Sequence, residues 1–139
     1  MNLDMLPIAL TGANRPIRLR LWNETGVQDD VLLVRHVSGV ETMCGGIEYV
    51  LLCVSIKAGM PLKQFIANPA ELQFVTDSGG LRAVCGIVES AVEGQSDGGL
   101  ALYQLVVRDA LSLLEKSCNT RVFRQASEVD ITNVMLREW

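Results

Sequence analysis

The stretch LQFVTDSGGLRAVCGIVESAVEGQSDGGLALYQLVVR, Leu72–Arg108, decides the fold. It opens with an extended run, Leu72–Asp77, breaks at Ser78-Gly79-Gly80, and resumes as one long run, Leu81–Glu93. A second break, Gly94–Gly98, leads into a third run, Gly99–Arg108. Parallel strands need a crossover of about a dozen residues or more, and neither connection is that long, so the three runs form an antiparallel meander. The central run has 13 residues, against about five or six for an ordinary strand. At about 3.3 Å per residue it would span roughly 43 Å. Such a ribbon bends, and Gly86 near its centre is where a bulge disturbs least. These features predict a mainly β chain with short helices, built as a small antiparallel β-barrel on this long-stranded meander.

Upstream, Ile17–Trp22 alternates, with Ile17, Leu19 and Leu21 on one face and Arg18 and Arg20 on the other, the pattern of a half-buried strand. Asn23–Asp30 is polar and reads as a loop, and Val31–Val37 reads as a strand closed by Ser38-Gly39. Gly45-Gly46 ends the next turn. Pro61–Ala67 has the look of a short helix stopped at Asn68-Pro69, because the residue before proline is pushed out of the helical region.

Two strands break the alternation. In Ile47–Lys57, Val50, Leu52, Val54 and Ile56 lie opposite Ile47, Tyr49, Leu51 and Cys53. In Gly99–Val107, Leu100, Leu102 and Val106 lie opposite Ala101, Tyr103, Leu105 and Val107. One face of an antiparallel sheet normally meets water, so strands apolar on both faces need a second cover. A helix of the same chain or a neighbouring subunit could supply it. Leu51, Cys53, Ala101, Tyr103 and Leu105 are the candidate contact residues for such a neighbour.

Downstream, Asp109 is placed to cap a helix over Ala110–Ser117, with Leu111 and Leu114 on one side. Ser127-x-x-Asp130 has the form of a capping box, followed by the apolar stripe Ile131, Val134 and Met135 of a last helix. That helix runs to Trp139 without a cap, the form expected of a piece excised from a longer chain with further domains. The expected division of residues 1–139 is a tail or short strand over 1–15, a barrel over 16–108 and a helical segment over 109–139.

At 139 residues the chain is one domain with room for a core. Hydrophobic residues make up 49%, charged residues 20%, and mean hydropathy is +0.27. That is greasy for a soluble monomer and fits apolar surface meeting a partner. A net charge of −4 with no basic stripe excludes a nucleic-acid footprint. The longest apolar run, Tyr49–Val54, falls far short of the roughly eighteen residues of a spanning helix, so no membrane insertion is expected. Asp4 and the lack of a basic start argue against a signal peptide, which predicts a cytoplasmic chain unless another machine exports it.

Cys44, Cys53, Cys85 and Cys118 lie 9, 32 and 33 residues apart, and with His36 as the single histidine they do not spell a zinc site. Cys53 and Cys85 sit in apolar runs and read as small hydrophobes. His36 has no nucleophile elbow to serve. Asp29-Asp30 reads as turn chemistry. Glu89 and Glu93, four residues apart on one strand, would share a face about 13 Å apart, too far for paired glycosidase carboxylates. Paired glycines at 45–46, 79–80 and 98–99 mark turns, and no phosphate loop is present. No catalytic set, cofactor site or metal site emerges, so the chain does not read as an enzyme.

Over residues 31–138 the order of motifs resembles the N-terminal part of VgrG, the spike protein of type VI secretion. It is also similar to the late control protein D and baseplate hub proteins of contractile phages. The likeness runs through Val37-Ser38-Gly39, Ile47-Glu48-Tyr49-Val50-Leu51 and Ile66-Ala67-Asn68-Pro69-Ala70. It continues through Gly86-Ile87-Val88, Tyr103-Gln104-Leu105-Val106-Val107-Arg108 and Leu113-Leu114. Thr120-Arg121-Val122-Phe123, Val129-Asp130-Ile131 and Val134-Met135-Leu136 complete it. The chain departs from the family at Asp109-Ala110-Leu111-Ser112, where a Pro-Trp-Leu-Trp-like opening is usual, and at Val84-Cys85, where an aromatic precedes Gly-Ile-Val.

The resemblance implies a first barrel followed by a second in the same chain. Three chains would make a pseudo-six-fold ring matching a hexameric tube protein, with a spike, sometimes an effector, carried beyond. The chain would be assembled in the cytoplasm and then exported or injected. A small-ligand or flavin-binding barrel with a pocket at its mouth is the alternative.

Overall fold

The computed structural model describes residues 12, 14–96, 99–116 and 118–138. The short strand expected near Met5–Leu10 lies outside them. Seven strands follow in order: β1 Ile17–Asn23, β2 Gly26–Gln28, β3 Leu33–Thr42, β4 Gly46–Ser55, β5 Pro69–Val75, β6 Leu81–Ser96 and β7 Ala101–Arg108. They make one sheet in the order β2-β1-β5-β6-β7-β4-β3, and every pair of neighbours is antiparallel. The meander β5-β6-β7 stands at its centre. The sheet curls until β1 approaches β3, without a backbone ladder joining them. The architecture is thus an antiparallel, barrel-like sheet with an open seam.

Several boundaries move, each for a local reason. The polar stretch expected to be a loop contains β2, because Asn23 folds the chain back. Its Oδ1 accepts from the Thr25 amide at 2.9 Å, and Gly26 takes φ +116°. β3 does not stop at Ser38-Gly39 but runs through it. A Cβ at residue 39 would collide with the ring of Tyr49, its cross-strand partner, so this glycine makes room for an aromatic rather than for a turn. β6 is 16 residues long and takes in Gly94, which the sequence placed in a loop.

The irregularities of β6 lie beyond Gly86, one after Val88 and another between Glu93 and Ser96. Register slips between Val88 and Ser90, a bulge at Glu89. Before it, Val84, Gly86 and Val88 face inward; after it, Ala91 and Glu93 do, opposite Leu105 and Tyr103. Gly86 answers a different demand. A Cβ there would sit 2.5 Å from the Arg108 carbonyl oxygen, so the glycine permits the close approach of β7.

The concave side is filled by Leu19, Leu21, Leu51, Cys53, Leu72, Val88, Tyr103, Leu105 and Val107. Phe65 closes one end edge-on to Tyr103, with centroids 6.3 Å apart, and Tyr49 meets Phe74 toward the other end at 6.1 Å. Side chains occupy the space that a barrel ligand would need, and the flavin-binding alternative finds no support. The helix expected at Pro61–Ala67 shrinks to a 3₁₀ turn at Leu62–Gln64, and the one after β7 is a 3₁₀ segment, Ala110–Lys116, with Leu111 outward and 62% exposed. The last helix, α1 Glu128–Arg137, forms as read, with a capping box between Ser127 and Asp130. No helix among the described residues is long and apolar enough to cross a membrane.

Candidate assembly surface

The β4–β7 ribbon has two faces, and the curl of the sheet decides their fates. Register pairs Leu51 with Leu105, Cys53 with Tyr103, and Ser55 with Ala101 on the concave side. All five residues proposed from sequence as partner contacts lie here: Leu51, Cys53, Tyr103 and Leu105 are 0% exposed and Ala101 1%. Their own chain covers them, so they have no surface to offer a neighbour. Burial pushes the Cys53 thiol up to about 12, as an apolar enclosure must.

The convex face carries Val50 opposite Val106 and Val54 opposite Leu102, with Leu52 opposite Gln104. Val50, Leu52, Leu102 and Val106 stay half-buried, and Val92 beside Gln104 on β6 is 55% exposed. Ser38, Ser90, Gln104 and His36 surround this apolar centre in the neighbouring registers. At one end it deepens into a groove of about 340 Å³ between Arg35, Val54, Gln95, Ser96, Leu100 and Leu102. An apolar centre with a polar rim is the anatomy of an interaction patch. A signal in the sequence separates the two faces. The odd-numbered side of Ala101–Val107 has no polar residue, whereas Gln104 interrupts the even side.

A charge cluster borders this face. Arg108, at the end of β7, approaches Glu89 at 3.4 Å, Glu48 at 3.7 Å and Glu115 at 4.0 Å, while Lys116 reaches Glu89 at 2.6 Å. The Lys116 ammonium, with Arg108 beside it, holds the Glu89 carboxyl below its ordinary value. The bulge aims Glu89 outward to this cluster, whereas Glu93 turns inward. The two carboxylates therefore occupy opposite faces, contrary to the shared face read from their spacing.

Glu93 belongs to a latch. Its Oε1 accepts from the Gly59 amide at 2.7 Å and lies 3.1 Å from the Tyr103 hydroxyl, which donates to the Lys57 carbonyl at 2.9 Å. The hydroxyl also accepts from the Met60 amide at 3.3 Å, so the loop after β4 is pinned across the sheet end. Near the other end, the Glu41 carboxylate accepts from the Tyr49 hydroxyl and from Arg82, and both lower its pKa. Asp29 and Asp30 line the seam between β1 and β3, a cavity of about 320 Å³. There Asp29 pairs with Arg20 at 3.1 Å and Asp30 accepts from the Gly12 amide, while Arg15 donates to the Val34 carbonyl at 3.2 Å. His36 is exposed on the convex side. Cys85, expected among apolar neighbours, is exposed.

Beyond residue 118 every described side chain is exposed except Ile131 and Met135, which are half-buried. Val122 is 82% exposed, Val129 68% and Leu136 49%. The arm is tied to itself by the capping box and by the Arg121–Glu138 ion pair.

The family model for the phage tail baseplate hub (GPD) matches residues 40–139. This chain belongs to that hub family. The hub chain is 27% identical over 122 residues to the type VI secretion system spike protein VgrG3 of Vibrio cholerae, covering 81% of itself and 12% of that protein. It is 30% identical over 108 residues to the type VI spike protein VgrG1a of Pseudomonas aeruginosa, covering 78% of itself and 17% of the relative. In three dimensions it is similar to an E. coli component of the type VI secretion system that itself resembles the bacteriophage T4 tail proteins gp27 and gp5. That match has a TM-score of 0.69 at 16% identity, over 87% of the hub chain and 32% of the other. The hub chain therefore spans a small fraction of the length of these relatives. Its family is one of structural hub and spike proteins.

Proposed function

We propose that this chain is a structural module of the spike hub of a contractile injection apparatus, in a type VI secretion system or a phage tail. Residues 16–108 form its barrel and 109–139 its helical extension, within a longer parent protein. Three copies make a ring of pseudo-six-fold outline that docks on a hexameric tube protein, with spike domains or an effector carried beyond. The ring is assembled in the cytoplasm and leaves with the spike. Its work is done by shape, and no catalytic group is needed.

The observation that carries this reading is the convex face of β4 and β7. It lies within a fold that matches a type VI component over 87% of the chain, and it keeps an apolar centre half open to solvent. Covering that face with a neighbour would contribute about 25 cal/mol for each Å² removed from water. The interface thus moves from the odd-numbered side, which the core consumes, to Val50, Leu52, Val92, Leu102 and Val106. Native mass spectrometry and electron microscopy of the complete gene product test the reading. Three copies per particle are expected, and a dimer or a monomer overturns it.

A further inference from the structure

Among the described residues, an apolar surface on the sheet and another on the arm stand partly open to solvent. One is the convex face, running from Val50 and Val106 to the groove at Leu102 with Arg35 on its wall. The other is the arm, where no residue of α1 is buried and Val129 and Leu136 are 68% and 49% exposed. At one point their charges are opposite, although a mixed cluster with Glu48, Glu89 and Glu115 borders the other end of the face. Arg35 stands at the groove, and the first turn of α1 carries Glu128 and Asp130.

We infer that the arm of one copy of this chain covers the convex β4–β7 face of the next copy, with the acidic first turn of α1 at Arg35. This rests on the hub reading and names the segment that closes its ring. A contact between two different patches propagates head-to-tail around a ring unless two copies exchange arms reciprocally and close at two, and the hub reading selects the ring. A second copy is the occupant that brings both surfaces at once, in equal number and with an acidic turn to set against Arg35.

Sedimentation velocity of the full chain over a concentration series tests this. Leu136→Asp spoils the arm and Leu102→Asp spoils the face, with Val92→Asp as a second face variant should the first not fold. Neither Leu136 nor Val92 is buried, so thermal melts of those two variants should match the parent. Each variant alone should stay monomeric. Mixed in equal amounts, an arm variant and a face variant should form a dimer and nothing larger, because one intact arm and one intact face remain. Arg35→Glu or Glu128→Arg alone should weaken association by about fivefold, and the two together should restore it.

Association indifferent to Leu136→Asp, or a mixture that stays monomeric, overturns the inference and leaves the hub reading standing. A parent chain monomeric at every concentration also overturns it, and the copy number of the complete gene product then judges the hub reading separately.

Discussion

The curled sheet of residues 17–108 and the arm of residues 118–138 are held by contacts of different reach. In the sheet, β1 pairs with β5 and β4 with β7 across some fifty residues, and the core gathers side chains from every long strand. In the arm, the Ser127–Asp130 box and the Arg121–Glu138 pair span 3 and 17 residues, and nothing is fully buried. The sheet is a cooperative unit whose parts stand or fall together. The arm is ordered by local chemistry and, Ile131 and Met135 apart, keeps its described apolar side chains exposed, as a segment meant to meet something else does.

The contrast can be broken, or made sharper, by substitution. The largest effect is expected in the core. Leu51→Ala empties a fully buried site and should cost about 2–5 kcal/mol, read by denaturant melts followed by sheet circular dichroism. A loss below about 1 kcal/mol would place Leu51 outside the core. Gly86→Val comes next: its new side chain meets the Arg108 carbonyl and Val107, so the β6–β7 ladder must shift, at about 1–3 kcal/mol. An unchanged melting midpoint there would contradict the close approach.

In the arm, Ser127→Ala should fray α1 at a local expense of about 1 kcal/mol, seen as faster amide exchange over residues 128–132, with the sheet's melt unmoved. A lower sheet midpoint would mean that the arm braces the sheet after all. The smallest effect concerns acid. Glu89 binds its proton more weakly folded than unfolded, so it contributes stability above the ordinary carboxyl value of 4.5 and loses that contribution as pH falls below it. Glu89→Gln should therefore cost under about 1 kcal/mol near pH 7 and flatten the decline below pH 4.5. A decline as steep as the parent's would assign it to other groups, Glu41 among them.

Much of the fold was legible in the chain. The short breaks at Ser78-Gly79-Gly80 and around Gly98-Gly99 forced an antiparallel meander, and the Ser127 box placed α1 at its observed start. What escaped was set by partners distant in sequence. Gly39 looks like a turn residue until Tyr49 is seen across from it. Gly86 looks like a bend until the Arg108 carbonyl is seen against it, while the register slip at Glu89 involves no glycine. Glu93 looks like a solvated charge until the Gly59 amide and Tyr103 close on it. The candidate contact residues show the same gap: Leu51, Cys53, Ala101, Tyr103 and Leu105 were read as surface for a neighbour, and the core of their own chain buries them.

The sequence by itself determined that β4 and β7 are apolar on both faces, because strand alternation follows from the pleat and can be read residue by residue. It determined, too, that the strands run antiparallel, because the links are too short for anything else. Only the tertiary structure decided which face is inside. Curl is a property of the whole sheet, to which strand twist and bulges in general contribute, and two apolar faces are equivalent until the sheet chooses the direction in which to close.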